Sequence, residues 1–347
     1  MTLAWAGDAP LLLCPGAGSC AIESPRRELA PALCAGRPVA TVPGLLAALF
    51  SLCGMAHRLC ATLALAAAEQ GEAPPVAAAS RAALADATRR DQALRLGLDW
   101  PRRLPGAVAQ PWVTALPAEP AAATRWLEQA LLGEPAAGWL ARHGADTEAV
   151  ARWSARGDTA LARLLAAQRP ATAALRLPAQ PLQLLDRPEA TLPLLAQRMA
   201  GEPGFCLRPH WQQGVPETGP WTRHARPLAV RSAWDRLAAR VIDLAALCCD
   251  DAPPLSLGAL ALGERGAIAW CEMARGLLLH WVRLEPGEAR VRDYRVLAPT
   301  EWNFHPQGVL AAALAAAPAA DDVARLAVAL DPCVDFAVRP AREAAHA

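Results

Sequence analysis

The chain has 347 residues, 54% of them hydrophobic, and a formal net charge of +1 at pH 7. That length supplies one large domain or two ordinary ones, and the near-neutral charge points to neither nucleic acid nor an anionic membrane surface as partner. All 34 basic residues are arginine. With so much alanine this reads as GC-rich codon usage, and the positive mean hydropathy of +0.16 reflects alanine rather than membrane character.

The N-terminal "MTLAWAGDAPLLLC" lacks the basic start of a secretory signal. Ten cysteines without such a signal imply reduced thiols and a cytoplasmic protein. No run of about 18 strongly apolar residues is free of charge, so no membrane insertion is expected. Residues 42–68 come nearest, and His57 and Arg58 interrupt them.

In chain order, residues 43–69 read as one long helix with proline near its start, and 76–96 as a second. Residues 101–120 form a proline-rich connection. Helical segments follow from 121 to about 168, broken by glycines. A second proline-rich passage covers 170–188, and 201–223 is irregular. Residues 228–249 carry Val230, Trp234, Leu237, Val241, Leu244 and Cys248 at three- and four-residue steps, the pattern of an amphipathic helix. Next, "LLLHWVRL" and "ARVRDYRVL" read as two strands joined by the turn "EPGE". Short helices near 308–317 and 321–330 precede the tail. There is no internal repeat. The expectation is a mainly α body over 1–347 as a single domain, with a small β-hairpin near 277–297.

Cysteines raise the chemical questions. Cys53, His57 and Cys60 fall at i, i+4 and i+7 of a helix, which puts them on one face as either a ligand set or a packed surface. Cys14 and Cys20 in "LCPGAGSC" have no further ligand nearby and read as structural. Cys248 and Cys249 are adjacent in a helix, so at most one faces any given site. Cys333, in "LDPCVDF", has no second thiol or imidazole within reach along the chain.

Four stretches, in order, resemble the large subunit of nickel-iron hydrogenases. The first is "LCGMAH", downstream of "RREL" and "AGRP", similar to an N-terminal pattern ending in Cys-Gly-x-Cys-x-x-x-His. The second is "ETGPWTR". The third runs from "EMARG" to "PTEWN", similar to Glu-Ala-Pro-Arg-Gly, a hairpin and Pro-Thr-x-Trp-Asn. The fourth is "DPC", similar to the terminal Asp-Pro-Cys-x-x-Cys-x-x-His. The resemblance implies a helix-bundle body like that of a shortened large subunit, with the two chain ends meeting in space.

The departures bear on function. In the resembled family, four cysteines hold nickel and iron, and the second of each pair bridges them. Here Cys53 and Cys333 keep the first places, while Ala56 and Phe336 stand where the bridging thiolates belong. Cys60 occupies a histidine position, and so does Arg339. Alanine and phenylalanine offer no donor atom, so no bimetallic core and no nickel are expected. The iron-ligand pocket is retained. The resemblance assigns Arg275, Pro299 and Thr300 to the surroundings of the iron's cyanide and carbonyl ligands, with Ala274 in place of proline. A guanidinium fork and a hydroxyl suit an anionic cyanide nitrogen.

The pattern is therefore similar to accessory proteins of hydrogenase expression and formation, which look like degenerate large subunits. The resemblance implies a non-catalytic cytoplasmic scaffold for the iron–cyanide–carbonyl unit. Its ligands would come from Cys53 and Cys333, with Cys60 and His57 as a local alternative. Implied partners are the large-subunit precursor and a small maturation chaperone. Two other classes stay open: a divergent hydrogenase, against which the lost bridging thiolates argue, and a metal-free module that braces or mimics the large subunit. Arg275 has a bland alternative too, an ion pair with Glu217 or Glu272, and Glu28 reads as a surface charge. With Arg339 at the histidine position and "PAREAAHA" beyond it, the chain is expected to keep its C-terminus to Ala347 rather than undergo the family's terminal cleavage.

Overall fold

The computed structural model describes residues 10–106, 116–223, 228–251 and 253–339. Helices dominate, with two small sheets. The expected long helix over 43–69 is two helices, Val42–Leu49 and Gly54–Gln70, separated at Phe50 by the turn Ser51–Cys53. Periodicity could not reveal this break, because apolar residues fill both sides of it. Gly54 permits the close turn: a Cβ there would sit 2.7 Å from the Ala47 carbonyl oxygen. The break leaves Cys53 at the N-terminal end of the second helix rather than inside a continuous one.

The Ser51–Gln70 segment is long and apolar enough to cross a membrane by composition alone. Here Ala56, Cys60, Leu63, Ala64 and Ala67 bury it against a sheet, as a core helix.

The second helix, expected over 76–96, spans Ala78–Leu94 and continues as a π-helical turn, Arg95–Asp99. Helix Ala160–Ala174 runs on through Pro170, further than the expected end near 168. Helix Pro188–Gly201 lies between the second proline-rich passage and the irregular stretch. The amphipathic segment forms helix Ala233–Leu247, started by a capping box in which the Ser232 and Asp235 side chains each bond the other residue's backbone. Part of the 101–120 connection, 107–115, lies outside the described residues, as do 340–347 of the tail.

The expected hairpin is half of a larger antiparallel sheet. Strands β3 (Leu257–Ala261), β4 (Gly266–Met273), β5 (Gly276–Leu284) and β6 (Val291–Leu297) pair in sequence order. One face, with Cys271, Leu278, Val282 and Tyr294, packs under the Gly54–Gln70 helix. The other, with Ile268, Leu279, Trp281 and Leu297, packs with Leu192, Leu195 and Trp302. Because β4 is covered on both sides, it lacks the polar–apolar alternation by which a strand is read from sequence.

The second sheet joins the chain ends. Strand β1 (Leu11–Leu13) pairs antiparallel with β2 (Ile22–Glu23) and parallel with β7 (Phe336–Val338), the strand just after Asp-Pro-Cys. These pairings deliver the C-terminal motif to the N-terminal one. The helical body, around Trp100, Trp139, Trp234 and Leu326, closes the remaining side.

Candidate functional site

The four sequence motifs interlock. In the β4–β5 hairpin Met273 pairs with Gly276, so Ala274 and Arg275 form a two-residue turn at its tip. Gly276 has φ 126° and packs so tightly on Thr218 that a Cβ would lie 2.5 Å from the Thr218 hydroxyl. Thr218 also accepts a bond from Leu277 N at 2.9 Å, and the Asn303 side chain brackets its backbone at 2.9 and 2.8 Å. Asn303 reaches the Leu330 carbonyl as well, at 3.3 Å. Thus "ETGP", "ARG", "PTEWN" and "LDPC" hold one another.

Asp331 is the centre of the charged framework. It caps helix Ala320–Leu330 in the left-handed region, φ 52° and ψ 75°, which Asp adopts more readily than most residues. Pro332 then prevents continuation of the helix. The buried Asp331 carboxylate faces Arg240 at 3.1 Å, Arg95 at 3.3 Å and Arg275 at 3.7 Å. Burial alone would raise its pKa, but the three guanidiniums outweigh it and hold the group below the usual carboxylate range. Arg240 also donates to the Ala274 carbonyl at 2.8 Å, which fixes the hairpin tip.

Arg275 is 1% exposed and forks onto Asp91 at 2.7 and 3.1 Å. Its carboxylate partners are therefore Asp91 and Asp331. Glu217 binds Arg236 and Glu272 caps Ser256 N, so neither is the partner expected from sequence. The Arg275 Nε is buried and makes no hydrogen bond; it faces Asp331 at 3.7 Å, the longest of that carboxylate's three ion pairs given above.

Cys333 sits where these parts converge. Thr300, buried behind Pro299 at the start of helix Pro299–Asn303, donates its hydroxyl to the Cys333 sulfur at 3.1 Å and accepts from Cys333 N at 3.2 Å. Arg26 Nη1 donates to the same sulfur, also at 3.1 Å, while its Nε holds Glu301 at 2.5 Å. Two donors on one sulfur suit a thiolate ligand. Burial lowers the Arg26 guanidinium, but Cys333 and Glu301 more than offset this, and its pKa ends raised.

Cys53 shares the site. Its thiol is pushed up to about 12, first by burial and then by Cys333, with Arg275 and Arg26 pulling the other way. The cysteines from the two chain ends are thus electrostatic neighbours, flanked by the same two arginines.

His57 and Cys60 are elsewhere. His57 stacks on Phe50 with ring centroids 4.1 Å apart, and its Nδ1 pairs with His280 Nε2 at 3.0 Å. His280 Nδ1 meets the Tyr294 hydroxyl at 2.8 Å. Cys60 is fully buried toward the sheet, where burial and Cys271 raise its pKa. The local set of Cys53, His57 and Cys60 does not form: among the described residues no cluster of three or more His, Cys, Asp or Glu side chains could hold a metal ion. Cys53, at the helix end, packs against the same sheet-side cluster and lies in the field of Cys271 and Cys333, while His57 is taken up by Phe50 and His280.

Glu28, read as a surface charge, is half-buried; it bonds the Cys206 thiol and lies beside Glu301. Cys14 and Cys20 lie near one another beside the β1–β2 turn, with Cys20 exposed. Sequence reasoning missed Arg26, Asp91, Arg95, Arg240 and Glu301. Arg26 and Glu301 lie inside quoted motifs, so the signal was present; Asp91, Arg95 and Arg240 belong to no motif and needed the fold.

No protein-family model matches the chain. It is 39% identical to the hydrogenase expression/formation protein HoxV of Cupriavidus necator, over 91% of this chain and 92% of that one. It is 33% identical to the hydrogenase expression/formation protein HupK of Bradyrhizobium diazoefficiens, over 94% of each. The chain belongs to the HoxV/HupK family of hydrogenase expression/formation proteins. Its fold is that of the nickel-iron-selenium hydrogenase of Desulfovibrio vulgaris Hildenborough, with a TM-score of 0.51 at 14% identity over 89% of this chain and 92% of that one. Helix-dominated architecture and relation to a large subunit were both legible in the motifs.

Proposed function

We propose that this chain is a non-catalytic accessory protein of nickel-iron hydrogenase maturation. It holds the iron–cyanide–carbonyl unit for delivery to the large subunit. The observation that carries this reading is the Cys333 sulfur, bracketed at 3.1 Å by Thr300 and at 3.1 Å by Arg26, with Cys53 and Arg275 beside it.

The donor set fits such a cargo. Cys53 and Cys333 supply two soft thiolates for low-spin ferrous iron. Thr300 and Arg275, whose Nε makes no hydrogen bond and faces Asp331 at 3.7 Å, supply donors for cyanide nitrogens. Pro299 and Ala274 shape the apolar and backbone surroundings. Ala56 and Phe336, at the bridging positions, provide nothing to hold nickel beside iron. The partners in this reading are the large-subunit precursor and a small maturation chaperone, met in the cytoplasm. Support comes from the family's name, expression/formation, and from the large-subunit fold.

The second reading is a metal-free module that braces or mimics the large subunit. One observation favours it: Arg275 is already bound to Asp91 and faces Asp331, so it is needed for the fold whether or not cargo is present. Metal analysis separates the two. Protein purified without oxygen from a hydrogenase-producing cell is expected to carry iron and no nickel. Metal-free protein that still restores hydrogenase maturation to a strain lacking it would establish the second reading instead.

A further inference from the structure

We infer that a cavity bordered by Arg26 and Thr300 is the passage by which a small anionic metal complex reaches Cys333. The inference rests on the scaffold reading and names the route and the residues that select for charge.

The cavity has a volume of ≈150 Å³. That is about tenfold the space one water needs, enough for a metal carrying a few diatomic ligands and too little for a peptide. Its polar lining comes from Ser24, Arg26, Arg208, Thr300 and Glu301, whose carboxylate is held by Arg26, and Leu207 and Phe304 form apolar wall. Arg26 and Thr300 are also the two donors on the Cys333 sulfur, so this lining is the outer side of the site itself. Arg208 is exposed and makes no ion pair among the described residues, which leaves a free cation at the cavity. The mixture suits the complex: cyanide nitrogens accept from guanidinium and hydroxyl, and carbonyl ligands rest on leucine and phenylalanine. On the other side of the Arg26–Glu301 pair a second cavity, beside Glu28 and Cys206, measures only ≈30 Å³. It holds about two waters, so it is not an alternative route.

Alkylation of Cys333 in cargo-free protein tests this, with neutral iodoacetamide and anionic iodoacetate as probes and peptide mass as the readout. Ser24→Trp should suppress labelling of Cys333 by both reagents, while Ser24→Ala should not. Arg208→Glu should lower the iodoacetate-to-iodoacetamide rate ratio about tenfold at low salt, an effect that fades as salt is added. Unchanged Cys333 labelling in a folded Ser24→Trp variant would overturn the passage. An unchanged ratio in Arg208→Glu would overturn its selection for anions. If labelling follows the cavity but anaerobically purified wild-type protein carries no iron, the passage stands and the cargo reading fails alone.

Discussion

At the start of the Gly54–Gln70 helix, Cys53 lies in the field of Cys333, Arg275 and Arg26; one turn on, His57 meets Phe50 and His280. The first environment is charged and assembled from both chain ends. The second is neutral, closed and made by the helix lying on a sheet. Both hold residue types that bind metals, yet Cys333 in the first takes bonds from a guanidinium and a hydroxyl, whereas Cys60 in the second takes one from the His280 backbone. Burial explains the second: His280 is pushed down to about 3 by burial, and His57 is lowered by burial and by His280. Two neutral imidazoles and a tyrosine satisfy one another there, as buried polar groups must. Ligand chemistry follows from what faces a side chain, and residue type alone does not decide it.

The largest expected difference between the regions is in cargo. Cys333→Ala or Cys53→Ala removes a direct bond to iron, so the bound unit should be lost on metal analysis, whereas His57→Phe should retain it. Retention of full iron by both cysteine variants would erase the distinction.

Asp331→Asn comes next, since it leaves three buried arginines short of their shared carboxylate. A broken buried ionic network costs about 3–5 kcal/mol, which denaturant unfolding would register. A loss of only a few tenths would mean that Asp331 is not the keystone of the site.

Arg275→Leu keeps both thiols but removes a charged donor. A charge-assisted hydrogen bond is worth about 1.5–3 kcal/mol, so affinity should fall about tenfold to a hundredfold, and the cyanide bands should shift. Stability should fall too, because Asp91 and Asp331 lose a partner; a purely structural role would lower stability and leave the bands of the remaining loaded fraction in place.

The histidine pair is expected to show itself in acid. Their folded pKa values lie below the unfolded value of about 6.5, so the unfolded chain takes up protons first. Stability should therefore decline as pH falls below about 6.5 and go on declining toward about 3, the value for His280. His280→Gln should flatten that part of the stability curve; an equally steep curve would show that the imidazole is not the titrating group. Thr300→Val should have the smallest effect, a modest shift of the cyanide bands with iron retained, because it removes one neutral hydroxyl.

Much of this was readable in the sequence where a motif tied residue type to position. "DPC", "PTEWN" and "ARG" named Cys333, Thr300 and Arg275, and the lost thiolates at Ala56 and Phe336 were plain. What the sequence withheld was pairing over long separations. Asp91 lies 184 residues from Arg275, and Arg26 lies 307 from Cys333. Neither contact leaves a local pattern. His57 and Cys60 misled for the converse reason: helical spacing placed them on one face with Cys53, but His57 is taken up by Phe50 and His280, and Cys60 lies buried against the sheet beside Cys271. Strand β4 was hidden because burial on both faces removes alternation.

The central claim is that Cys333, with Thr300 and Arg26 on its sulfur, is a ligand to an iron unit bearing cyanide and carbonyl. Infrared spectroscopy tests it most directly, on wild-type and Cys333→Ala protein purified without oxygen from a hydrogenase-producing cell. Cyanide and carbonyl stretching bands should be present in the wild type and absent from the variant. Bands absent from both, with Cys333→Ala still supporting hydrogenase maturation, would contradict the account and leave the metal-free module in its place.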